Sequence, residues 1–430
     1  MASFTDLVAE RIRLRKEEFL AGLSSKPGDE IEQLLAQAIQ SHWHPFELEK
    51  IRGADQSRSL AAAIDGSSAI RALNSGADWV IAQALLIGPN GLRRSDVETH
   101  LLRGETERPA VARYAALMMR SLELDLALKF VESGEGHILI LDGSLYANLP
   151  YLLYRLAIRG YEDVPLQVLE QYLELFDLCQ KRGVLLLGIS KSARSAVLGH
   201  ALLDEHSTSQ SLIAQQPASG TPEPLDADVQ ENEEVAPGDA VNGKGRRRGV
   251  RSGMNGIPTD GEIMHRWTKG AGLTDPVLLG SSSFGRAGVI ADEKLTLQIE
   301  EALREPQVSP DLQALLRRLS YAPAIGTFYV RLAPGDEVLR VDALASTFGR
   351  DDLHLLGFTR MLVPFTTALP HVQYLLGEYG GLSVYNAALY VVDKEVRLHA
   401  ATVDHVYLPV LRRQLGQTVE YDRSTRRFIR

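Results

Sequence analysis

Two short stretches of this sequence each end an apolar run with the same three residues: AIDGS at 63–67 and ILDGS at 140–144. Each places a carboxylate, Asp65 or Asp142, where the chain is expected to leave a buried strand. A third acid, Glu123, lies within SLELDLAL (121–128), in a stretch rich in helix formers. Carboxylates gathered at one point repel and raise one another's pKa unless a cation compensates. Their hard oxygens suit Mn²⁺ or Mg²⁺, and a phosphodiester oxygen can complete the coordination. Two such ions would activate a water and stabilise a leaving oxygen. Lys191, in GISKSAR (188–194), is expected at a strand-to-helix junction capped by Ser190, where backbone N–H groups favour an anion. Asp260 opens a helix after Ile-Pro-Thr and is a candidate fourth ligand.

Each of these residues also has a plainer reading. Asp-Gly after a strand is commonly a turn, and Glu123 would then be a solvated helix residue. Lys191 would be a surface lysine, and Asp260 an acid favoured by the dipole at a helix start. The repetition of Asp-Gly-Ser in two apolar settings favours the chemical reading. Asp125 competes with Glu123, but at two residues' separation it cannot share the same helix face.

The elements that must position these groups follow from periodicity. Residues 4–50 read as two helices, with Leu7, Val8, Ile12 and Leu14, then Ile31, Leu34, Leu35 and Ile39, at helical spacing. SLAAAIDGSS (59–68) and ADWVIAQALLIG (77–88) read as neighbouring strands, the first ended by its Asp-Gly turn, with a third extended segment near 93–103. A long helix over 107–132, a strand at 137–145, helices at about 150–160 and 165–181, and a strand at 183–190 come next, and a helix is expected from Lys191. Beyond 257 the sequence predicts a helix at 257–270, another near 294–320 and a hairpin at 325–344. MLVPFTTAL and VYNAALYVVD read as strands or buried helices. Parallel strands separated by helices after an opening meander indicate an α/β fold. If the first and fourth strands are adjacent, Asp65 and Asp142 stand side by side, and the long helix can present Glu123 to the same point. That is a ribonuclease-H-like layout, a mixed sheet with flanking helices.

Composition sets the frame. The 430 residues carry 46 basic and 55 acidic side chains, and the resulting net charge of −9 argues against non-specific coating of nucleic acid. A single cysteine, Cys179, excludes an intramolecular disulfide framework and a cysteine-based zinc cluster. The amino terminus has no apolar leader, and no run reaches the about 18 apolar residues of a membrane helix, so a soluble cytoplasmic protein is expected. The stretch 205–256 is poor in aromatics, rich in Ser, Gln, Pro, Gly and acid, and ends in Lys244, Arg246, Arg247, Arg248 and Arg251. It is expected to be a disordered insertion. The organisation expected is thus a helical segment at 1–52, a core at 53–204, the insertion at 205–256, and the rest of the core at 257–430 with a basic tail. There is no P-loop, no H-E-x-x-H, no nucleophile elbow and no dinucleotide fingerprint after the first strand.

Taken in order, AIDGSS, SLELDLAL, ILDGSL, GISKSAR, IPTDGEIMHRW and TFYVRLAPGDEVLRVD resemble the NurA family of nucleases. The resemblance covers about residues 58–200 and 257–345, on either side of the insertion. It implies a ribonuclease-H-like fold and a DNA nuclease dependent on Mn²⁺ or Mg²⁺ through a two-ion site. It further implies 5′-to-3′ exonuclease and single-strand endonuclease action, as a homodimer working with a HerA-type hexameric translocase in DNA end resection and repair. Residue by residue, Asp65, Glu123 and Asp142 match the metal-binding acids, Lys191 the lysine after the following strand, and Asp260 the later acid. Tyr329 in FYVRL matches the tyrosine near the site, so Lys191 and Tyr329 are expected to bind substrate. The carboxy-terminal part departs from the pattern. The family closes its site with a histidine in a segment resembling Y-P-x-x-L-x-x-A-H. Here LPHVQYLLGEY (369–379) and RLHAATVDHVYLP (397–409) offer His371, His399 and His405 without a clean alignment. Two other readings stand beside this one. A degenerate member would bind a translocase or DNA without cleaving. A small-molecule phosphohydrolase would use Asp142 as nucleophile, although Ser144 stands where its second Asp is needed.

Overall fold

The computed structural model describes residues 3–23, 29–47, 61–103, 108–191, 195–214, 257–281, 310–416 and 419–420. The basic cluster at 244–251, the stretch 294–309 and the carboxy-terminal RSTRRFIR lie outside the described residues. In chain order the elements begin with α1 (Phe4–Leu14), α2 (Lys16–Leu23), α3 (Asp29–His42), β1 (Trp43–Pro45), β2 (Ala61–Ala72), β3 (Ala77–Ile87), β4 (Arg93–Arg103) and α4 (Arg108–Ser133). There follow β5 (Ile138–Asp142), α5 (Val164–Arg182), β6 (Leu185–Ser190), α6 (Val197–Ala214), α7 (Asp260–Trp267), β7 (Gly272–Thr274), β8 (Val277–Leu279) and α8 (Pro310–Ser320). The last are β9 (Ile325–Arg331), β10 (Leu339–Leu344), β11 (Arg360–Leu362), α9 (Leu369–Gly377), α10 (Ala387–Val396) and α11 (Leu408–Leu415), alongside shorter helical turns.

The chain divides into two compact units. One comprises Met1–Ser41 and Arg194–Thr268, the other His42–Ala193 and Lys269–Arg430. The first unit is helical. Ser3 with Asp6, and Thr259 with Glu262, form reciprocal capping boxes at the starts of α1 and α7. Gln40 Nε2 donates to the Trp267 carbonyl at 2.8 Å. Phe4, Leu7, Val8 and Ile12 of α1 are all exposed. Helix α6 runs through Ala214, so the helix continues past 205, where the insertion is expected to begin; residues 215–256 lie outside the described residues.

The second unit is built on an eleven-stranded sheet, ordered β1-β7-β9-β10-β6-β5-β2-β3-β4, with β8 also on β9 and β11 on β8. Strands β2, β3 and β4 form an antiparallel meander, and β5 and β6 continue it in parallel from β2. This is the α/β arrangement the sequence implies, with the first and fourth core strands as neighbours. Alternate residues along each strand face opposite layers. Ala63, Ile140, Leu187, Ile189 and Val341 join a buried cluster with Val372 and Leu375 of α9 and Leu389 and Val392 of α10. Ala62, Ile64, Leu139 and Leu141 are buried on the other face, where α4 lies on β2 and β3 and is itself backed by α5. Helix α4 is covered by the sheet on one side and α5 on another, which is why its apolar residues are spread around it rather than confined to one stripe.

Two local expectations change, and one left open is decided. Strand β2 does not end at Asp-Gly: it runs on to Ala72 in continuous register with β3, Asp65 opposite Leu85 and Gly66 opposite Ala84. The helix expected at 150–160 is a single turn at Leu149–Leu152. VYNAALYVVD resolves as α10, because Asn386 caps it and Leu389, Val392 and Val396 recur at helical spacing on its buried side.

Candidate active site

The parallel register of β2 and β5 runs Ala61 with Ile138 up to Ile64 with Leu141. One further step sets Asp65 beside Asp142, on the face of the sheet that also carries Ala63 and Ile140. Glu123 comes from the other face. It projects from α4, is 2 % exposed, and its Oε1 lies where a side chain at Gly66 would have to go. Gly66 is therefore an opening through the sheet rather than a turn. Gly143, after Asp142, has a left-handed φ of 105° and looks onto the Arg120 guanidinium. Gly66 thus admits a group carried by α4, whereas Gly143 answers to its left-handed backbone, with Arg120 at ordinary contact distance.

Charge is balanced locally by two cations. Arg120, one turn before Glu123, pairs with its Oε2 at 2.5 Å and donates to the Asp142 carbonyl at 3.3 Å. Lys191 Nζ donates to Asp142 Oδ2 at 2.9 Å. Among the described contacts Asp65 accepts only from the Gly66 N–H, at 2.8 Å. Burial, then the neighbouring Asp142, pushes the Asp65 carboxyl up to about 6. Burial pushes Glu123 up to about 7 in spite of Arg120, and Asp65 and Asp142 add to the rise. Lys191 is partly desolvated, yet its bond to Asp142 raises it above the usual lysine range.

A buried scaffold holds Asp142 in place. Asp342 of β10 accepts from the Ser144 hydroxyl, from Leu145 N at 3.1 Å and from Arg340 Nε at 2.9 Å. The Gly143 N–H donates to the Ile189 carbonyl at 2.8 Å. Gly188 must lack a side chain, because a Cβ there would meet the Gly143 carbonyl and Leu145. Asp342 is a supporting residue that sequence reasoning did not single out, although it ends the TFYVRLAPGDEVLRVD motif.

The other expected residues lie as follows. Asp260 is fully buried in the first unit, and its carboxylate accepts from Ser195 Oγ at 2.6 Å, Val197 N at 2.9 Å and Gly199 N at 3.2 Å. It therefore serves the N-terminus of α6, where backbone N–H groups want an anion. That helix starts at Val197 rather than at Lys191, whose ammonium donates to Asp142. Tyr329 is fully buried because every residue of β9 is covered on both sides. The phenol beside Lys191 is Tyr385, whose ring centroid is 5.3 Å from Nζ and whose hydroxyl helps to raise the ammonium. His371 is stacked on Phe348 inside the core, with Nε2 2.9 Å from Thr347 Oγ1, and burial lowers it to about 4. His399 and His405 are exposed. Asp125 accepts from Gln171 of α5 at 2.7 Å, on a different face from Glu123.

Sequence reasoning also missed Asp393 on α10, whose charge contributes to the rise of Asp65. A signal was present. Tyr385, Leu389 and Asp393 have the spacing of Y-P-x-x-L-x-x-A-H, with an aspartate at the histidine position.

Hard-cation chemistry fits this donor set. All the acids are oxygen donors, and Glu123 Oε2 is buried without a hydrogen bond of good geometry. Among the described residues no three His, Cys, Asp or Glu side chains are already gathered at ion-holding spacing. Arg120 pairs with Glu123 and Lys191 with Asp142, so two of the acids are already engaged by cations. Among the described residues no helix is long and apolar enough to cross a membrane.

A family model for the NurA domain matches residues 59–357. Solved structures similar to the chain include the NurA nuclease from Sulfolobus solfataricus, 14% identical, covering 96% of this chain and 98% of that one, with a TM-score of 0.53. A second crystal structure of NurA is 12% identical over 94% of this chain and 98% of that one, with a TM-score of 0.49. NurA bound to dAMP and manganese is 13% identical over 94% and 96%, with a TM-score of 0.40. The first of these bears on the fold alone. No curated protein matches the chain.

Proposed function

Since the chain belongs to the NurA family of nucleases, whose model spans well over half its length, we propose that it hydrolyses DNA phosphodiester bonds with a divalent cation held by Asp65, Glu123 and Asp142. The observation that carries this reading is the register that sets Asp65 beside Asp142, with Glu123 reaching them through Gly66. Bound Mn²⁺ or Mg²⁺, as one ion or a pair, would supply an activated water and charge stabilisation for the phosphoryl group. Among the described residues Asp65 has no ion pair to give up, and it offers the first carboxylate. Asp142 is freed when Lys191 turns its ammonium to a phosphate oxygen, where charge develops in the transition state. Arg120 holds Glu123 at the Gly66 opening and partly offsets the upward push of burial on its carboxyl. Asp342 keeps the loop after Asp142 from drifting.

We extend the proposal to the finer expectations: 5′-to-3′ exonuclease and single-strand endonuclease action, partnership with a HerA-type translocase in DNA end processing and repair, and a cytoplasmic setting. These rest on family resemblance. A homodimer has some support of its own in the exposed Phe4, Leu7, Val8 and Ile12 of α1. The test uses end-labelled single- and double-stranded DNA with Mn²⁺ or chelator, beside Asp65→Ala and Asp142→Ala. Metal-dependent degradation lost in both variants is expected. Undiminished cleavage by both would refute the assignment. The second reading, a module that binds without cleaving, is favoured by one observation, the occupation of Glu123 and Asp142 by Arg120 and Lys191. Calorimetry separates the two, since a decayed site gives no heat with Mn²⁺.

A further inference from the structure

The segment that follows Asp142 holds two tyrosines out into solvent. Tyr151 and Tyr154 are 56% and 39% exposed. Three residues apart in the helical turn that begins at Leu149, they stand on one side of it. The segment that carries them is firmly seated. Leu149, Leu152, Leu156 and Ile158 are buried, Leu156 N donates to the Glu162 carbonyl at 3.0 Å, and Arg155 Nε donates to Asp163 at 3.0 Å. The rings are thus presented on an ordered backbone, which lowers the entropic cost of engaging a partner.

Arg113 of α4 supports the turn from below. Its guanidinium donates to the carbonyls of Tyr154 at 2.6 Å, Tyr151 at 2.8 Å and Arg155 at 3.2 Å. Such carbonyls are the groups a short helical turn leaves without partners. Among its described contacts Arg113 meets no carboxylate, so a positive charge remains beneath the rings. Of the acids in the segment, Asp163 is taken by Arg155, and Glu162 accepts from Gly160 N at 2.8 Å. Arg159 is a further exposed cation. The same helix ties the rings to the carboxylates. Arg113 and Arg120 lie two turns apart on one side of α4, about 10 Å along its axis. Arg120 in turn pairs with Glu123 and donates to the Asp142 carbonyl. That separation matches about three nucleotides of a stacked strand. Asn148, just before the turn, lies at the hydroxyl of Tyr172, which is within electrostatic reach of Arg120 and Glu123.

We propose that Tyr151 and Tyr154 form a stacking platform for unpaired bases of the DNA strand that reaches Asp65, Glu123 and Asp142, with Arg113 fixing the platform and drawing the phosphates toward it. This rests on the nuclease reading above and specifies the form of the substrate. A base inside a duplex has both faces covered by its neighbours, so the platform takes a single strand or a frayed end. Every base has a π-face, so the platform holds the strand without choosing its sequence. The cation without an acid beneath the rings and the link through α4 to the carboxylates favour a nucleic-acid strand over a protein as the occupant.

The test is fluorescence anisotropy of a labelled oligothymidylate of about 20 nucleotides with the full chain in chelator, so that binding is read without cleavage. Wild type is compared with the double variants Tyr151→Ala/Tyr154→Ala and Tyr151→Phe/Tyr154→Phe, each checked by circular dichroism and by sedimentation. The alanine pair is expected to raise the Kd at least about tenfold, while the phenylalanine pair stays within about twofold of wild type. A blunt duplex is expected to bind all three proteins alike. Wild-type affinity in the alanine pair, with Mn²⁺-dependent degradation by the wild type intact, overturns this inference and leaves the nuclease reading standing. Equal weakening by both pairs overturns it too, because the hydroxyls rather than the rings would then hold the strand. A lower solution mass for the alanine pair than for wild type would assign the rings to a protein contact instead. The expected binding pattern without any Mn²⁺-dependent degradation supports the platform and overturns the nuclease reading.

Discussion

Replacing Gly66 by alanine tests the idea that this glycine is an opening for Glu123. Gly66 lies inside a continuous strand with extended backbone, so alanine brings no backbone strain. Its Cβ would instead collide with Glu123 Oε1 and Met119 Cγ and lie 3.2 Å from the Gln83 carbonyl. Met119 is unbranched and can swing aside. Glu123 cannot do so freely, because it is 2 % exposed and paired with Arg120. Overpacking of this kind costs about 1–3 kcal/mol. The decisive assay is a double-mutant cycle by urea denaturation in chelator: Gly66→Ala measured in wild type and in Glu123→Ala. If Glu123 is what the new methyl meets, the penalty shrinks to within about 0.5 kcal/mol of zero once the carboxylate is gone, and the coupling between the two sites equals the lost penalty. The same cost in both backgrounds would show that Gly66 serves the backbone alone. Cleavage should fall along with stability in the single variant, since Glu123 is pushed away from Asp65.

Two further outcomes are expected. The Asp65 carboxyl is raised to about 6 by burial and Asp142, so between pH 4 and 6 the folded protein binds more protons than the unfolded chain. This group's contribution to stability in chelator therefore falls as pH rises through about 6, and thermal scans across pH should show Asp65→Asn lacking that component; an identical profile would sink the claim. Asp342→Ala removes the buried carboxylate that Arg340 pairs with and releases Ser144 and Leu145, so a loss of about 3–5 kcal/mol in denaturant titration is expected, with weakened Mn²⁺ binding. A loss below about 1 kcal/mol would mean that Asp342 is not the anchor of the Asp142 loop.

The paired Asp-Gly-Ser segments were legible because strand composition and turn residues are local signals. They located Asp65 and Asp142, and they misplaced only the end of β2. An Asp-Gly pair looks the same to local reasoning whether the glycine bends the chain or merely lacks a side chain. Glu123 was legible as an acid on a helix but not as one facing the sheet, because α4 is covered on more than one side and so carries no single apolar stripe. Asp260 shows the converse. Its position at a helix start was visible, but the helix it actually serves, α6, comes earlier in the chain.

The chain taken alone thus specifies the strand and helix types, the two carboxylates of the Asp-Gly-Ser segments, and the hard-oxygen character of the site. Each of these depends on side-chain period and chemistry within a few residues. The fold was needed for the adjacency of β2 and β5, the Glu123 approach through Gly66, the Arg120 and Lys191 ion pairs, the Asp342 anchor, and the arrival of Tyr385 and of Asp393 on α10. These groups are far apart in sequence, and their meeting depends on strand register and on helix rotation against the sheet. Both are decided by packing of the whole core, which no local pattern encodes.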